Sequence, residues 1–235
     1  MLNKEGATRN ILGPLDIHGV LAAAGIAGPL VLIALDMAAA IAQPGYNLVR
    51  DSISSLALTS MGWIQTIGFL VIGLLIEIFT AGLFLNVQRR RGFGFGIFLL
   101  ACFGFGLLMI GAFHTDPVGG QRTVNGILHL TATYSVLGLF PIALALLLPS
   151  IRKDPGWHGL FIYTVVTGIL ALALSLSKLF VPDHTNWFGL YERITVANPI
   201  VWVEVNAVWL LVLSIRRRKK VQLITTVKQS EIQFE

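Results

Sequence analysis

The chain has 235 residues, of which 55% are hydrophobic and 12% charged, against about 25% charged in an average soluble domain. A formal net charge of +5 and a mean hydropathy of +0.77 exclude an ordinary soluble globular domain. Continuous apolar runs exclude a transmembrane β-barrel, whose strands alternate over about 10 residues.

Six runs are each long enough to cross roughly 30 Å of hydrocarbon at 1.5 Å per residue. In chain order they cover residues 19–43, 61–87, 92–113, 123–148, 159–181 and 198–215. The expected fold is therefore all-α: a polytopic integral membrane bundle of six transmembrane helices, residues 19–215. A short segment, 1–18, precedes it, and a basic, polar tail, 216–235, follows. The first run, at about 25 residues, exceeds the 7 to 15 of a signal-peptide core and reads as a retained helix. Gly92 and Gly96 have the spacing that lets two helices approach closely, which offers a face for self-association into a homo-oligomer. Cys102 is the one cysteine and lies inside the third run, so neither an intrachain disulfide nor a CxxC site is available.

Thirteen of the 17 Lys and Arg residues fall on one side of these spans: Lys4, Arg9, Arg89–Arg91, Arg152, Lys153, Arg216–Arg218, Lys219, Lys220 and Lys228. Arg50, Arg122 and Arg193 fall on the other, and Lys178 lies within a span. Such asymmetry is a topology signal rather than a nucleic-acid footprint, and by the positive-inside rule it predicts both termini in the cytoplasm of a cell-membrane protein. Trp63 and Trp187 then fall near the outer interface and Trp157 near the inner one, as aromatic anchors do.

Polar residues gather at the predicted outer face. The first outer loop supplies Tyr46, Arg50, Asp51, Ser52 and Ser54, and the second supplies His114, Asp116 and Asn125, with His129 one to two turns into the fourth helix. The third supplies Asp183, His184, Tyr191, Glu192 and Arg193. Charging a group at the bilayer centre costs about 2.5 to 3.5 kcal/mol on insertion scales. Asp36, Lys178 and Glu204, within the outer parts of their spans, are therefore expected to pair or to floor a polar cavity that opens outward. Glu77 lies deeper, with no partner evident in the sequence.

Asp51, His114, Asp116 and His129 are the residue types of a mixed N/O site for a divalent metal such as zinc or iron, with Glu192 as a base and Ser52 or Ser54 orienting a substrate. No fixed-spacing motif such as HExxH accompanies them. Each also has a structural reading: Asp51 with Ser52 and Ser54 as a helix start, Asp116 before Pro117 as a turn. Haem is not expected, since paired histidines alone do not define a haem site.

PGYNLVRDSISSL before the second helix, FHTDP after the third and NGILH opening the fourth make the chain resemble the domain of unknown function 998 family over roughly residues 20 to 215. The resemblance implies a compact six-helix integral membrane protein of bacteria or archaea. The positions matching the family's pattern are Tyr46, Arg50, Asp51, Ser52, Ser54, Asp116, Pro117 and His129, while Asn125 stands where the family often has histidine.

Three functions follow as expectations. One is a pocket at the extracytoplasmic face, lined by Tyr46, Arg50, Asp51, Ser52, Ser54, Asn125, Arg193, Asp36, Lys178 and Glu204, that binds a small molecule, lipid or ion. Another is a membrane-embedded metal-dependent hydrolase or transferase acting on a lipid, and the last is a structural or partner-docking protein.

Overall fold

The computed structural model describes residues 16–232, and of residues 227–232 the backbone alone; Lys4 and Arg9 lie outside the described residues. Among the described residues six helices are long and apolar enough to cross a membrane, the fifth together with the turn that leads into it: α1 Ile17–Ala42, α2 Gly62–Asn86, α3 Phe93–Ala112, α4 Val124–Lys153, α5 Phe161–Ser177 and α6 Phe188–Ile232. Short 3-10 turns, Ser54–Leu58 and His158–Leu160, precede α2 and α5. The described residues contain no strand, so the chain is an all-helical, multi-pass membrane protein.

Local chemistry sets the ends of the helices. Asp16 caps α1 by accepting from the Gly19 amide at 2.7 Å, and Thr123 caps α4 by accepting from Gly126 at 3.1 Å. Pro29, Pro141, Pro149 and Pro199 lie inside helices, which neighbouring helices make tolerable within a membrane bundle.

Consecutive helices pack side by side and α6 returns against α1, so the bundle closes on itself. In lipid, apolar contact alone does not drive helices together, and close backbone approach carries much of the association. Gly25 of α1 shows it. A Cβ there would stand 2.6 Å from the Phe79 ring and 2.7 Å from Ala207 Cβ, so a larger residue would force α1, α2 and α6 apart. Gly92 and Gly96 face Leu146, and Gly96 also Leu147, of α4; this small-residue face is used within the chain. Glu77 lies against α3 at Gly104, where a Cβ would meet its carboxylate at 2.8 Å.

At the basic end of the bundle, Asp16 Oδ1 accepts from Ser214 Oγ at 2.6 Å, and Asn86 Oδ1 accepts from Arg217 at 2.7 Å. Asp154 accepts from the Gln88 amide at 2.7 Å, so α1, α2, α4 and α6 are fastened together there.

Two expectations need correction. Trp157 is not an interface anchor: it is fully buried and its indole N–H donates to the Asn86 carbonyl at 3.2 Å. Trp63 and Trp187, 61% and 48% exposed, keep exposed indoles. The sixth helix begins ten residues earlier than hydropathy suggests and runs on through the basic tail. Its early start is supplied from outside the helix: the Gly189 and Leu190 amides of its first turn donate to the Arg50 and Val49 carbonyls at 3.2 and 2.9 Å, which satisfies donors a helix N-terminus leaves unpaired. Tyr191, Glu192 and Arg193 therefore sit on a helix rather than in a loop.

Candidate functional site

The end of the bundle opposite the basic tail is built around the segment 43–61, which folds back over the start of α6. Gly189 has to be glycine for this, because a Cβ there would stand 2.2 Å from the Asp51 carbonyl oxygen. Two polar networks hold the segment.

The first is centred on Arg193. Its Nη1 donates to the carbonyls of Leu48, Asp51 and Gly189 at 2.9, 3.1 and 3.2 Å, and its Nη2 to the Tyr46 hydroxyl at 2.7 Å. Its Nε stands 3.6 Å from Asp36 of α1. Tyr46 in turn donates to the Ser52 carbonyl at 2.8 Å. Burial pushes the Tyr46 hydroxyl up to about 12, so it stays a protonated donor at neutral pH. Arg193 thus ties α1, the segment and α6 with one guanidinium, a use its planar fork suits better than a lysine would.

The second network joins α6, the Ser54 turn, α4 and the end of α3. Glu192 accepts from the Ile53 amide at 2.6 Å, and its other oxygen lies 3.2 Å from Ser54 Oγ. Ser54 Oγ also lies 3.2 Å from His129 Nε2, and His129 Nδ1 lies 2.8 Å from the Phe113 carbonyl. A carbonyl cannot donate, so Nδ1 carries a proton. Making both remaining bonds takes two protons among Nε2, Ser54 Oγ and Glu192. Either Glu192 donates to Ser54 and Ser54 to His129, or His129 donates to Ser54 and Ser54 to Glu192. The trio is neutral overall in both arrangements, which is how these groups are carried 5% exposed at His129 without a net buried charge.

The other candidates are engaged elsewhere. Arg50 grips Asp51 with two bonds of 2.7 and 2.9 Å, and this guanidinium holds the Asp51 carboxyl below the usual carboxylate range. Asp51 also accepts from the Asn47 amide at 2.8 Å. Its stabilisation is present above the ordinary carboxylate pKa and is lost as pH falls through the lowered folded value. Asp51→Asn is therefore expected to speed hydrogen exchange at the Asn47 amide about fivefold at pH 7, the loss of about 1 kcal/mol for a solvent-screened charged bond. Variant and wild type measured at each pH should converge once the carboxyl is protonated, and equal rates at pH 7 would contradict the assignment.

Ser52 Oγ accepts from the Ser55 amide at 3.1 Å, at the entry to the Ser54–Leu58 turn. Asp116 accepts from the Thr123 amide at 2.9 Å and its hydroxyl at 2.7 Å, which keeps its carboxyl low. His114 Nε2 lies 3.2 Å from Thr66 Oγ1, and Asn125 is exposed. Lys178 pairs with Asp183 and lies 4.1 Å above the Phe188 ring. Asp36, Lys178 and Glu204 do not converge: Asp36 meets Arg193, and Glu204 Oε2 is buried without a hydrogen-bond partner among the described residues. Asp51, His114, Asp116 and His129 each hold a different partner, and among the described residues no group of three or more His, Cys, Asp and Glu is placed to hold a metal ion.

Beneath the second network runs a narrow apolar cleft between α3, α4, α5 and α6. Phe103, Leu107, Val136, Phe140, Ala171 and Val196 line it, with Asn198 in its wall. Asn198 Oδ1 is buried there without a hydrogen-bond partner among the described residues. Val196 is one helical turn from Glu192, and Val136 two turns from His129, so these two cleft residues share a helix face with a member of the trio. The backbone partners of the site, Ile53 N–H and the Phe113 carbonyl, carry no side-chain signal. Asn198 had one: an Asn-Pro pair at the edge of an apolar run.

No curated protein and no solved structure matches the chain. The family described as "Protein of unknown function (DUF998)" matches residues 26–209. The chain is thus a multi-pass membrane protein belonging to the DUF998 family.

Proposed function

We propose that the protein binds an amphiphile in the outer leaflet of the cell membrane, with the apolar tail in the α3–α6 cleft and the polar group beside Glu192, Ser54 and His129. The observation that carries this reading is the cleft itself, apolar along most of its length, with an amide oxygen in its wall that has no hydrogen-bond partner among the described residues and a hydrogen-bonding cluster one to two turns above. A ligand that matches this sequence of surfaces has an acyl chain joined to a hydrogen-bonding head. The lysine and arginine distribution supports the outward orientation, since among the described residues the polar end lies opposite the Arg89–Arg91, Arg152–Lys153 and Arg216–Lys220 clusters.

Entry from the side fits the weakest part of the bundle. Only Thr164, Thr167 and Ala171 of α5 are buried, so α5 is the helix that can yield most cheaply to admit a chain.

Lipid extraction and native mass spectrometry after exchange into a non-lipid detergent test the reading. Wild type should retain about one equivalent of an acyl-bearing species, and Ala171→Phe, which fills the cleft, should lose it while staying monodisperse. Leu174→Trp provides a second filled cleft. An impermeant thiol reagent should reach Val118→Cys, 84% exposed in wild type, in intact cells. Equal retention by wild type and both filled variants would end the proposal.

A further inference from the structure

The geometry points to Ser54 as the nucleophile, and His129 as the general base, of an acyl-transfer centre that acts on a carboxylic ester of the bound amphiphile. The inference rests on the amphiphile reading above and goes beyond it, because binding needs no nucleophile.

Three requirements of an activated serine are met by four separate chain segments. The nucleophile, Ser54 Oγ, lies 3.2 Å from the base nitrogen, His129 Nε2. The base is oriented by a third group, the Phe113 carbonyl 2.8 Å from Nδ1; that bond puts a proton on Nδ1, and in the arrangement where Glu192 carries a proton and donates to Ser54 the Nε2 lone pair faces the Ser54 hydroxyl. The nucleophile's backbone is also held. On one side the Ile53 amide donates to Glu192 at 2.6 Å, and on the other the Ser55 hydroxyl donates to the Ser52 carbonyl at 2.7 Å. Ser54 keeps partial exposure while His129 is 5% exposed, so the serine is the more open member of the pair and water is held away from the base. Glu192, 3.2 Å from Ser54 Oγ, is a positioning residue that holds the turn and the hydroxyl.

The substrate class follows from the position of Ser54 relative to the cleft. The trio stands one to two helical turns, about 5 to 11 Å, above residues that line it. A chain lying in the cleft therefore presents the bond between its acyl tail and its head at the level of Ser54. In the first half of the reaction, Ser54 Oγ bonds to the ester carbonyl carbon as its proton passes to His129 Nε2. The bond to the alcohol oxygen breaks, and that oxygen takes the proton from Nε2. In the second half, water bonds to the same carbon and gives a proton to Nε2. The Ser54 Oγ–carbon bond breaks and Oγ recovers the proton. Ester and water become carboxylic acid and alcohol, and no electron is transferred.

The test uses the full chain in liposomes with a long-chain alkyl fluorophosphonate, which reacts with an activated serine by replacing its P–F bond with an Oγ–P bond and releasing fluoride. Peptide mapping of wild type should place one adduct at Ser54. The adduct should be absent in Ser54→Ala and at least tenfold slower in His129→Gln. Wild-type retention of amphiphile, measured on the same preparation, separates the two ideas. Retention without an adduct at Ser54 overturns the acyl-transfer inference and leaves the binding reading standing, and loss of retention overturns both. An adduct on another residue, or labelling undiminished in Ser54→Ala, also overturns the inference, and neither result depends on the His129 variant folding.

Discussion

Arg193→Met should destabilise the bundle by about 3–5 kcal/mol, the cost of removing one member of a buried ion pair. Asp36 is 6% exposed, with Arg193 Nε 3.6 Å away. Without the guanidinium its carboxylate has neither water nor a cation, and the Leu48 and Asp51 carbonyls lose the donor that holds the segment against α6. Methionine keeps much of the side-chain volume, so the change reports charge and hydrogen bonding more than packing. Reversible unfolding in mixed micelles measures it. Adding Asp36→Asn should recover a large part of the loss, because an amide tolerates the apolar setting better than an unpaired carboxylate. If single and double variants are equally destabilised, the ion pair is not what holds these elements together.

Trp202→Ala has the second large effect. Trp202 is fully buried, packs edge-on against Phe140 at 5.7 Å, and donates from its indole N–H to Thr164 Oγ1 at 3.2 Å. Phe140 continues to Phe103 at 5.2 Å, so this indole joins α6 to α3, α4 and α5. Large-to-alanine changes at buried aromatics in water-soluble cores cost about 3–5 kcal/mol. A loss of about 3 kcal/mol is expected here, the low end, because in lipid what is lost is mainly packing rather than shielding from water. Trp202→Phe should cost less: it keeps most of the packing and forfeits the Thr164 bond. A Trp202→Ala variant within 1 kcal/mol of wild type would mean that the helices collapse onto the vacated space.

Helix number and class are legible in the residues because a bilayer imposes them one helix at a time. Each span satisfies its own backbone hydrogen bonds and meets hydrocarbon along its length, so an apolar run of sufficient length is enough. The gathering of polar residues at one end is readable for the same reason: with the spans placed, residues 43–61, 113–123 and the stretch 182–197 between the last two spans fall at one level. The resemblance carried by PGYNLVRDSISSL, FHTDP and NGILH agrees with the family match over residues 26–209.

Pairing within that end is a different kind of information. Hydropathy begins the sixth span at Asn198, yet the helix starts at Phe188 because carbonyls of Val49 and Arg50, about 140 positions earlier, accept its first amides. Lys178 is close in depth to Asp36 and Glu204, but Asp183, five residues on, reaches it first. Arg193 follows Glu192 directly, yet successive helical residues face different directions; one meets Asp36 and the other Ser54. Trp157 has the composition of an interface anchor and becomes core because Asn86 offers its indole an acceptor.

The Ser54, His129 and Glu192 trio brings together positions 75 and 138 residues apart, oriented by a backbone carbonyl and a backbone amide that no side-chain pattern encodes. Membrane solvation acts on each segment separately, and the residues therefore disclose spans, ends and depth. Hydrogen bonds and ion pairs between segments depend on how six helices close against one another, and that packing alone chose which polar residue meets which.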